Sequence, residues 1–283
     1  MRQQTALEER LAFAADLARR SGALLRQGYG NATEVRHKGS VELVTEYDVR
    51  SEELIRSALA AAFPAEAVQG EEGGLTGAGE GRWLVDPLDG TANFAHGIPI
   101  FCVSIAWLQG SEPLLGVVYD PLRDELFEGG AGLGARLNGR ELRVSAQLSL
   151  AESLLVTGFP YDIRSNPRNN LKEYAALALR SLGVRRLGSA ALDLAYVAAG
   201  RFDGFWEFGL SPWDFAAGTV LVREAGGRVT RADGGPDVFA SPTSLLATNG
   251  RIHASVLEVL QEVEAQRAQG PGQGLPSSPL HAA

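Results

Sequence analysis

The chain has 283 residues, and its 26 Lys and Arg against 34 Asp and Glu give it a formal net charge of −8. Hydrophobic residues make up 45% and charged residues 21% of it, which excludes a disordered chain, a collagen-like repeat and a small disulfide-stapled domain. The acidic balance argues against nucleic acid as the primary ligand, because binding to a phosphate backbone depends on clustered Lys and Arg. An acidic protein that holds a phosphorylated small molecule needs another positive charge, and divalent cations bound by carboxylates supply it.

The N-terminus and the apolar segments predict a cytoplasmic protein with no membrane partner. Residues 1–4 lead directly into a charged helical pattern, and the longest apolar stretch, 98–108, is shorter than the ~18 residues of a membrane span. Cys102 is the only cysteine, so no intrachain disulfide can form. Its apolar neighbours favour a buried structural thiol.

The first part of the chain predicts helices followed by a mostly antiparallel sheet. Apolar residues at helical spacing indicate helices over 5–28 and 49–63, with an extended segment at 41–45 between them. The glycine-rich residues 73–81 predict an irregular loop. Strands are predicted at 83–85, 101–108, 114–119 and 125–128, and a hairpin at Asn138-Gly139.

From about residue 149 the pattern changes to alternating strands and helices, which is typical of an α/β unit. The predicted strands are 154–157, a short one near 184, 204–207, 228–230 and 245–248, and the predicted helices are 170–182, 190–199, 213–225 and 252–266. We therefore expect one subdomain at 1–148 and a second at 149–268. Residues 269–283 contain three Gly and three Pro and predict a disordered tail.

The densest polar cluster is the segment 83–94, Trp-Leu-Val-Asp-Pro-Leu-Asp-Gly-Thr-Ala-Asn-Phe. We expect a buried strand to end at Asp86, a turn at Pro87, and Asp89 to project near Asp86. These carboxylates and the Leu88 carbonyl are hard oxygen ligands that suit Mg²⁺. Taken alone, however, strand-end and helix-cap chemistry explains both acids as well.

A phosphate site is predicted beside those two acids. Gly90 and Thr91 open a short helix, and their unpaired backbone N–H groups suit a phosphate. Glu71 and Glu72 follow another apolar segment and border the glycine-rich loop. Asp214 lies in the first turn of the helix predicted from residue 213, where it also favours the helix dipole.

The combination resembles the inositol monophosphatase family of Mg²⁺-dependent, Li⁺-sensitive sugar phosphatases. The resemblance rests on 83–94, 213–227 and 70–72, with further similarity at 38–48 and 188–191. Over 186–207 the chain is most similar to the bacterial inositol-1-monophosphatase branch. The resemblance implies a layered αβαβα fold, α+β in its first half and α/β in its second, and a homodimer.

The resemblance also implies two or three Mg²⁺ ions and a role for each matching residue. Glu71, Asp86 and the Leu88 carbonyl would hold one ion, Asp86, Asp89 and Asp214 a second, and Glu71 would reach a third. Thr91 would lie beside the attacking water, with Asp48 assisting its deprotonation and Lys38 close to the site. Gly90 and Thr91 would bind the phosphate, while Gly188, Ser189, Ala190, Asp89, Glu207 and Asp214 would contact the sugar.

These implications agree with the physical chemistry of the residues. Four clustered acids would repel one another and raise their pKa values unless cations neutralised them, so metal is expected. Neither Cys102 nor His96 has a partner that would suggest a covalent phosphoenzyme. We therefore predict hydrolysis of a small phosphomonoester by water.

Inositol 1-phosphate leads as the predicted substrate, because the most similar branch uses it. Relatives with the same motifs take fructose 1,6-bisphosphate, histidinol phosphate, 3′-phosphoadenosine 5′-phosphate or NADP. A rival of another class is a regulatory or RNA-associated binding protein on the same fold, although the acidity of the chain argues against this as its main role.

Overall fold

The computed structural model describes residues 2–30, 35–37 and 43–268. Its helices are α1 (Arg2–Gly28), α2 (Glu46–Ala62), α3 (Thr91–Ala95), α4 (Leu171–Ala178), α5 (Ala190–Ala198), α6 (Pro212–Glu224) and α7 (His253–Ala268), with a 3₁₀ helix at Leu150–Glu152. Its strands are β1 (Val35–His37), β2 (Leu43–Thr45), β3 (Ala67–Gly70), β4 (Gly74–Thr76), β5 (Gly81–Asp89), β6 (Cys102–Gln109), β7 (Glu112–Asp120), β8 (Glu125–Gly130), β9 (Gly134–Leu137), β10 (Arg140–Glu141), β11 (Leu154–Thr157), β12 (Gly183–Arg185), β13 (Gly204–Phe208), β14 (Arg228–Thr230) and β15 (Ser244–Thr248).

Two large sheets organise these elements. The first has eight strands in the order β10-β9-β8-β7-β6-β5-β3-β4, and every neighbouring pair is antiparallel except β3 with β5. The second has five strands in the order β12-β11-β13-β15-β14, in which β11 is parallel to both of its neighbours. The short strands β1 and β2 pair separately.

The helices and sheets stack as five layers, αβαβα, which confirms the predicted fold. Side chains on successive strand residues point to opposite faces, so Trp83 packs against α1 and α2 while its neighbour Leu84 packs in the core that contains α5 and α6. In the second sheet, Val156 faces that same central core and Leu155 faces α4 and α7. The central pair of helices is therefore enclosed by both sheets.

Helix α6 lies directly against the first sheet. An added Cβ at Gly116 of β7 would clash with the backbone of Ala217 in α6, so glycine allows this close approach. The Ser104 hydroxyl on β6 also donates to the Trp213 carbonyl at 3.2 Å. Together these contacts fix the N-terminal end of α6, and Asp214 with it, against the first sheet.

Several predicted elements differ from the structure at their ends. Helix α2 begins at Glu46 rather than 49, because Thr45 and Asp48 form a capping box around its first turn. The loop predicted at 73–81 contains the exposed edge strand β4, and the helix predicted over 170–182 ends at Ala178. The division near residue 148 stays a prediction, and the predicted tail, 269–283, lies outside the described residues.

Cys102 is fully buried, as predicted. Among the described residues no helix is both long and apolar enough to cross a membrane.

His253, at the start of α7, should make the stability of the protein depend on pH. Its ring is buried between the hydroxyls of Thr230 and Thr248, and burial lowers its pKa to about 4. The unfolded chain therefore binds a proton more readily than the folded one, and stability should fall as pH drops from about 6.5 toward 4. The free energy of unfolding is measured by chemical denaturation at pH 7 and at pH 4.5. Between these two pH values, the wild type should lose about 1–3 kcal/mol more of this free energy than His253→Gln, a range that allows for solvent screening. Equal losses in both proteins would contradict this assignment.

Candidate active site

A cavity of about 420 Å³ opens where the two sheets and the N-terminal ends of α5 and α6 meet. Its size suits a small-molecule ligand. Its wall brings together most of the residues predicted from the sequence, namely Glu71, Asp86, Leu88, Asp89, Gly90, Thr91, Gly188, Ser189, Ala190, Glu207 and Asp214.

A β-bulge places two of the acids on one side of β5. Asp86 pairs with Ser104 and Asp89 with Cys102, so three steps along β5 match two along β6. In a regular strand, residues an odd number of steps apart face opposite sides, and the extra residue reverses this relation. The prediction that the strand ends at Asp86 was therefore wrong, because β5 continues through Pro87 to Asp89.

Glu71 and Asp214 reach the cavity from neighbouring elements. Glu71 follows β3, and its backbone N–H donates to the Val85 carbonyl on β5 at 3.2 Å. Asp214 lies in the first turn of α6, where its Oδ2 accepts the Ser211 N–H at 2.7 Å in a capping box. Asp214 thus caps its helix and lines the cavity with the same side chain.

The electrostatics of these acids show that they share one environment. Burial, followed by the charges of Glu71, Asp89 and Asp214, raises the pKa of Asp86 well above its usual value. Burial, followed by the charges of Asp89 and Glu71, raises the pKa of Asp214 well above its usual value. Each carboxylate therefore resists ionisation beside the others, and cations would relieve this repulsion.

The donor set fits a hard divalent cation in its chemistry, although the side chains are not gathered into a finished ligand shell. The acids offer several carboxylate oxygens in one cavity, which is what Mg²⁺ requires. Within residues 2–30, 35–37 and 43–268, however, no three His, Cys, Asp or Glu side chains converge as a ready-made metal centre.

Asp89 joins the two halves of the site. Its Oδ2 accepts the Ser189 hydroxyl and the Ala191 N–H, both at 2.7 Å, at the beginning of α5. The Cys102 thiol lies 3.7 Å from the same oxygen. One oxygen of Asp89 is therefore held by the second half of the chain.

Thr91 and Asp48 form a hydroxyl–carboxylate pair beside the acids. The Thr91 hydroxyl lies 2.8 Å from Asp48 Oδ1 and 2.9 Å from the Leu88 carbonyl. Asp48 Oδ2 accepts the backbone N–H and the hydroxyl of Thr45. Burial raises the pKa of Asp48, against the effect of these hydrogen bonds. A carboxylate in this state is suited to accept a proton through Thr91.

The comparison with known families agrees with this arrangement. The profile of the inositol monophosphatase family matches residues 6–265. The chain belongs to the inositol monophosphatase family. Members of this family are generally metal-dependent, which is consistent with the acidic cavity.

Individual relatives within the family cover nearly the whole chain. The inositol-1-monophosphatase of Synechocystis sp. is 44% identical over 273 residues, covering 93% of this chain and 95% of the relative. The Nus factor SuhB of Pseudomonas aeruginosa is 44% identical over 265 residues, covering 90% and 97%. Among solved structures, the inositol monophosphatase from Anabaena (Nostoc) sp. PCC 7120 superposes with a TM-score of 0.84 at 46% identity, covering 93% of this chain and 99% of that one.

The cavity wall contains two further buried acids, of which only one was predicted. Burial raises the pKa of Glu207 to about 8, against the opposing charge of Arg186. Asp193 on α5, which the sequence reasoning missed, is 1% exposed, and burial followed by the charge of Glu207 raises its pKa. Its Oδ1 has no hydrogen-bond partner within the described part of the chain. The position of Asp193 four residues after Ser189 was the only available signal.

Two further cavity residues were also missed, and one predicted residue cannot be placed. Arg186 brings a positive charge to the cavity wall, and Tyr161 lies in the loop after β11. Lys38 lies outside the described residues.

Proposed function

We propose that this chain hydrolyses a small phosphomonoester in a reaction that depends on two or three Mg²⁺ ions, with inositol 1-phosphate as the leading substrate. The observation that carries the proposal is that Asp86, Asp89 and Asp214, which have raised pKa values, line one cavity together with Glu71. A phosphate dianion would be repelled by these acids alone, so the cations must bind with it or before it.

The proposed ligands are those that the resemblance to the family implies, and all of them line the cavity. Glu71, Asp86 and the Leu88 carbonyl would hold one ion, and Asp86, Asp89 and Asp214 a second, with Glu71 reaching a third. When bound, the ions neutralise the acids, lower the pKa of a water molecule and stabilise the departing alkoxide. The N–H groups of Gly90 and Thr91 would face the phosphate, since both residues line the cavity at the start of α3.

Side chains of this protein would accept the proton of the attacking water. In our proposal the Thr91 hydroxyl accepts that proton and passes its own to Asp48 Oδ1, which lies 2.8 Å away. Thr45 holds the other oxygen of Asp48, so the carboxylate stays aimed at Thr91. Water is then the nucleophile, and no phosphoenzyme forms.

Three further side chains of the cavity wall support a polyol as the leaving group. Glu207 and Asp193 offer buried carboxyl oxygens, and Arg186 offers a guanidinium. Hydroxyl groups donate and accept hydrogen bonds, so a sugar alcohol would match this mixture. We assign Glu207, Asp214 and Asp89 to the hydroxyls, and the backbone around Gly188, Ser189 and Ala190 to the ring.

The second candidate is a regulatory or RNA-associated binding protein on the same fold. It is supported by the name Nus factor SuhB, which the relatives in Pseudomonas aeruginosa and Escherichia coli strain K12 carry. The net charge of −8 disfavours direct binding to a phosphate backbone.

A homodimer, implied by the sequence resemblance, also remains a prediction.

A substrate panel with one variant separates these candidates. Phosphate release is measured with and without Mg²⁺ from inositol 1-phosphate, fructose 1,6-bisphosphate, histidinol phosphate, 3′-phosphoadenosine 5′-phosphate and NADP. We expect the wild type to release phosphate fastest from inositol 1-phosphate and only with Mg²⁺. Asp89→Asn should be slower by about 10²–10⁴-fold, because a metal ligand loses its charge. Equal rates in both proteins, or no release by either, would favour the binding protein.

A further inference from the structure

Helix α2 carries a line of buried polar side chains on the face that it turns toward the cavity. Asp48, Ser51 and Glu52 are 1%, 0% and 2% exposed. Residues three and four apart share one face of a helix, so these side chains lie side by side. Buried polar groups cost free energy unless they are bonded, and each of these has a partner outside the helix.

Each side chain contacts a different segment of the proposed site. Asp48 accepts the Thr91 hydroxyl, and the Ser51 hydroxyl donates to the Pro87 carbonyl at 2.9 Å, within the bulge of β5. Glu52 accepts two backbone N–H groups from the turn that contains Glu71, those of Glu72 at 2.7 Å and Gly73 at 2.6 Å. One helix face therefore contacts both segments, 71–72 and 86–91, that this part of the chain contributes to the cavity wall.

The contacts of Glu52 hold the backbone on the C-terminal side of Glu71. The preceding side is held by the bond from the Glu71 N–H to the Val85 carbonyl. The two carboxylate oxygens of Glu52 take the next two N–H groups in the chain, one each. Bonds from N–H groups to a buried carboxylate are stronger than those between neutral groups. The position of the Glu71 backbone is thereby fixed from both sides.

Arg56 and two glycines complete this arrangement. Arg56, one turn further along α2, donates to Glu52 Oε1 at 3.0 Å and to the Gly74 carbonyl at 2.7 Å. An added Cβ at Gly70 or at Gly73 would clash with the Glu52 carboxylate. The turn and the carboxylate are thus packed together with no room for a side chain between them.

We propose that Glu52 is a positioning residue that sets the affinity of the site for Mg²⁺ by fixing the backbone of Glu71. It does not line the cavity, so it acts only through the turn it binds. This proposal rests on the proposed function, which makes Glu71 a metal ligand. An amide at position 52 would present an NH₂ group to one of the two N–H groups and would lose the charge that pairs with Arg56.

The test compares Glu52→Gln with Glu53→Gln, a matched change at the adjacent, exposed position of the same helix. Mg²⁺ binding is measured by calorimetry without substrate, and KM for the substrate is measured at saturating Mg²⁺. We expect Glu52→Gln to bind Mg²⁺ about 10-fold more weakly, as for other residues that orient metal ligands, with KM changed less than about twofold. Glu53→Gln should match the wild type. Equal Mg²⁺ binding by both variants would overturn the proposal.

A double-variant cycle separates positioning from a general loss of structure. In a Glu71→Gln background, Glu52→Gln should have no further effect on Mg²⁺ binding, because the side chain it positions no longer carries the charge. An additional loss of the same size would contradict positioning. If Glu52→Gln does not fold, Arg56→Gln provides a weaker form of the same comparison. Failure of the proposed function is distinguishable, because the wild type would then bind no Mg²⁺ in the calorimeter.

Discussion

Asp86→Asn should abolish Mg²⁺-dependent phosphate release and raise the melting temperature of the metal-free protein. Asp86 is 2% exposed. Burial and the charges of Glu71, Asp89 and Asp214 all disfavour the ionised form of its carboxyl group. An asparagine keeps an oxygen for the Leu88 N–H, which donates to Asp86 Oδ1 at 3.0 Å, but it removes a buried charge. The proposed site loses the acid assigned to two ions, so activity should fall by about 10³-fold or more.

The measurement is thermal unfolding with EDTA and with excess Mg²⁺, together with phosphate release. Without metal, the variant should melt a few degrees above the wild type. Mg²⁺ should raise the melting temperature of the wild type much more than that of the variant. Asp120→Asn is the matched control, because Asp120 is equally buried in the first sheet but is paired with Arg123 at 2.7 Å. It should lower the melting temperature. A less stable metal-free Asp86→Asn would contradict the proposed repulsion.

The same repulsion gives the metal-free protein a definite pH dependence. A buried acid with a raised pKa binds protons more tightly in the folded state than in the unfolded state. Its destabilising effect is therefore present at neutral pH and disappears as pH falls through the folded-state pKa. Asp86 and Asp214 both belong to this class. The stability gap between wild type and Asp86→Asn should therefore narrow on acidification.

Thr91→Ala should reduce kcat by about 10²–10⁴-fold while leaving Mg²⁺ binding close to that of the wild type. The alanine removes the hydroxyl that lies 2.8 Å from Asp48 Oδ1 and so breaks the proposed proton path. Thr91→Ser keeps the hydroxyl and should retain most of the activity. Steady-state kinetics and calorimetric titration with Mg²⁺ measure the two effects separately. Comparable kcat values for the alanine and serine variants would exclude Thr91 from proton transfer.

Asp48 should then set the acid limb of the pH–rate profile. Burial raises its pKa above that of an ordinary Asp, and it must be ionised to receive a proton from Thr91. The rate should therefore fall as pH drops through this raised value.

Much of the fold follows from local patterns in the sequence. The alternation of Trp83 and Leu84 between two cores is a period-two signal, and the helical spacing of Leu11, Ala14 and Ala18 is equally visible in the order of the residues. The acids in 70–72 and 83–94 were recognisable because they lie at the ends of apolar segments, and Asp214 was recognisable because it lies in the first turn of a predicted helix. To predict that these acids assemble in one cavity, the resemblance to a family was needed as well.

Other features depend on contacts between segments distant in the sequence. The β5 bulge is defined by its register with Ser104 and Cys102, and Pro87 by itself also predicts a simple turn. Glu52 is one of several acids on α2 until its bonds to Glu72 and Gly73 are known. Asp193 lies two residues beyond the similar segment 188–191, and nothing local shows that it is buried beside Glu207.

Crystals soaked in Mn²⁺, a hard cation with the same oxygen preference as Mg²⁺ and an anomalous signal, test most directly whether these acids bind metal. The prediction is at least two anomalous peaks in the cavity, within bonding distance of carboxylate oxygens of Asp86, Asp89 and Asp214, with Glu71 drawn toward one of them. Asp86→Asn crystals in the same soak should lose a peak. An anomalous map without a peak in the cavity would contradict metal-dependent catalysis at this site.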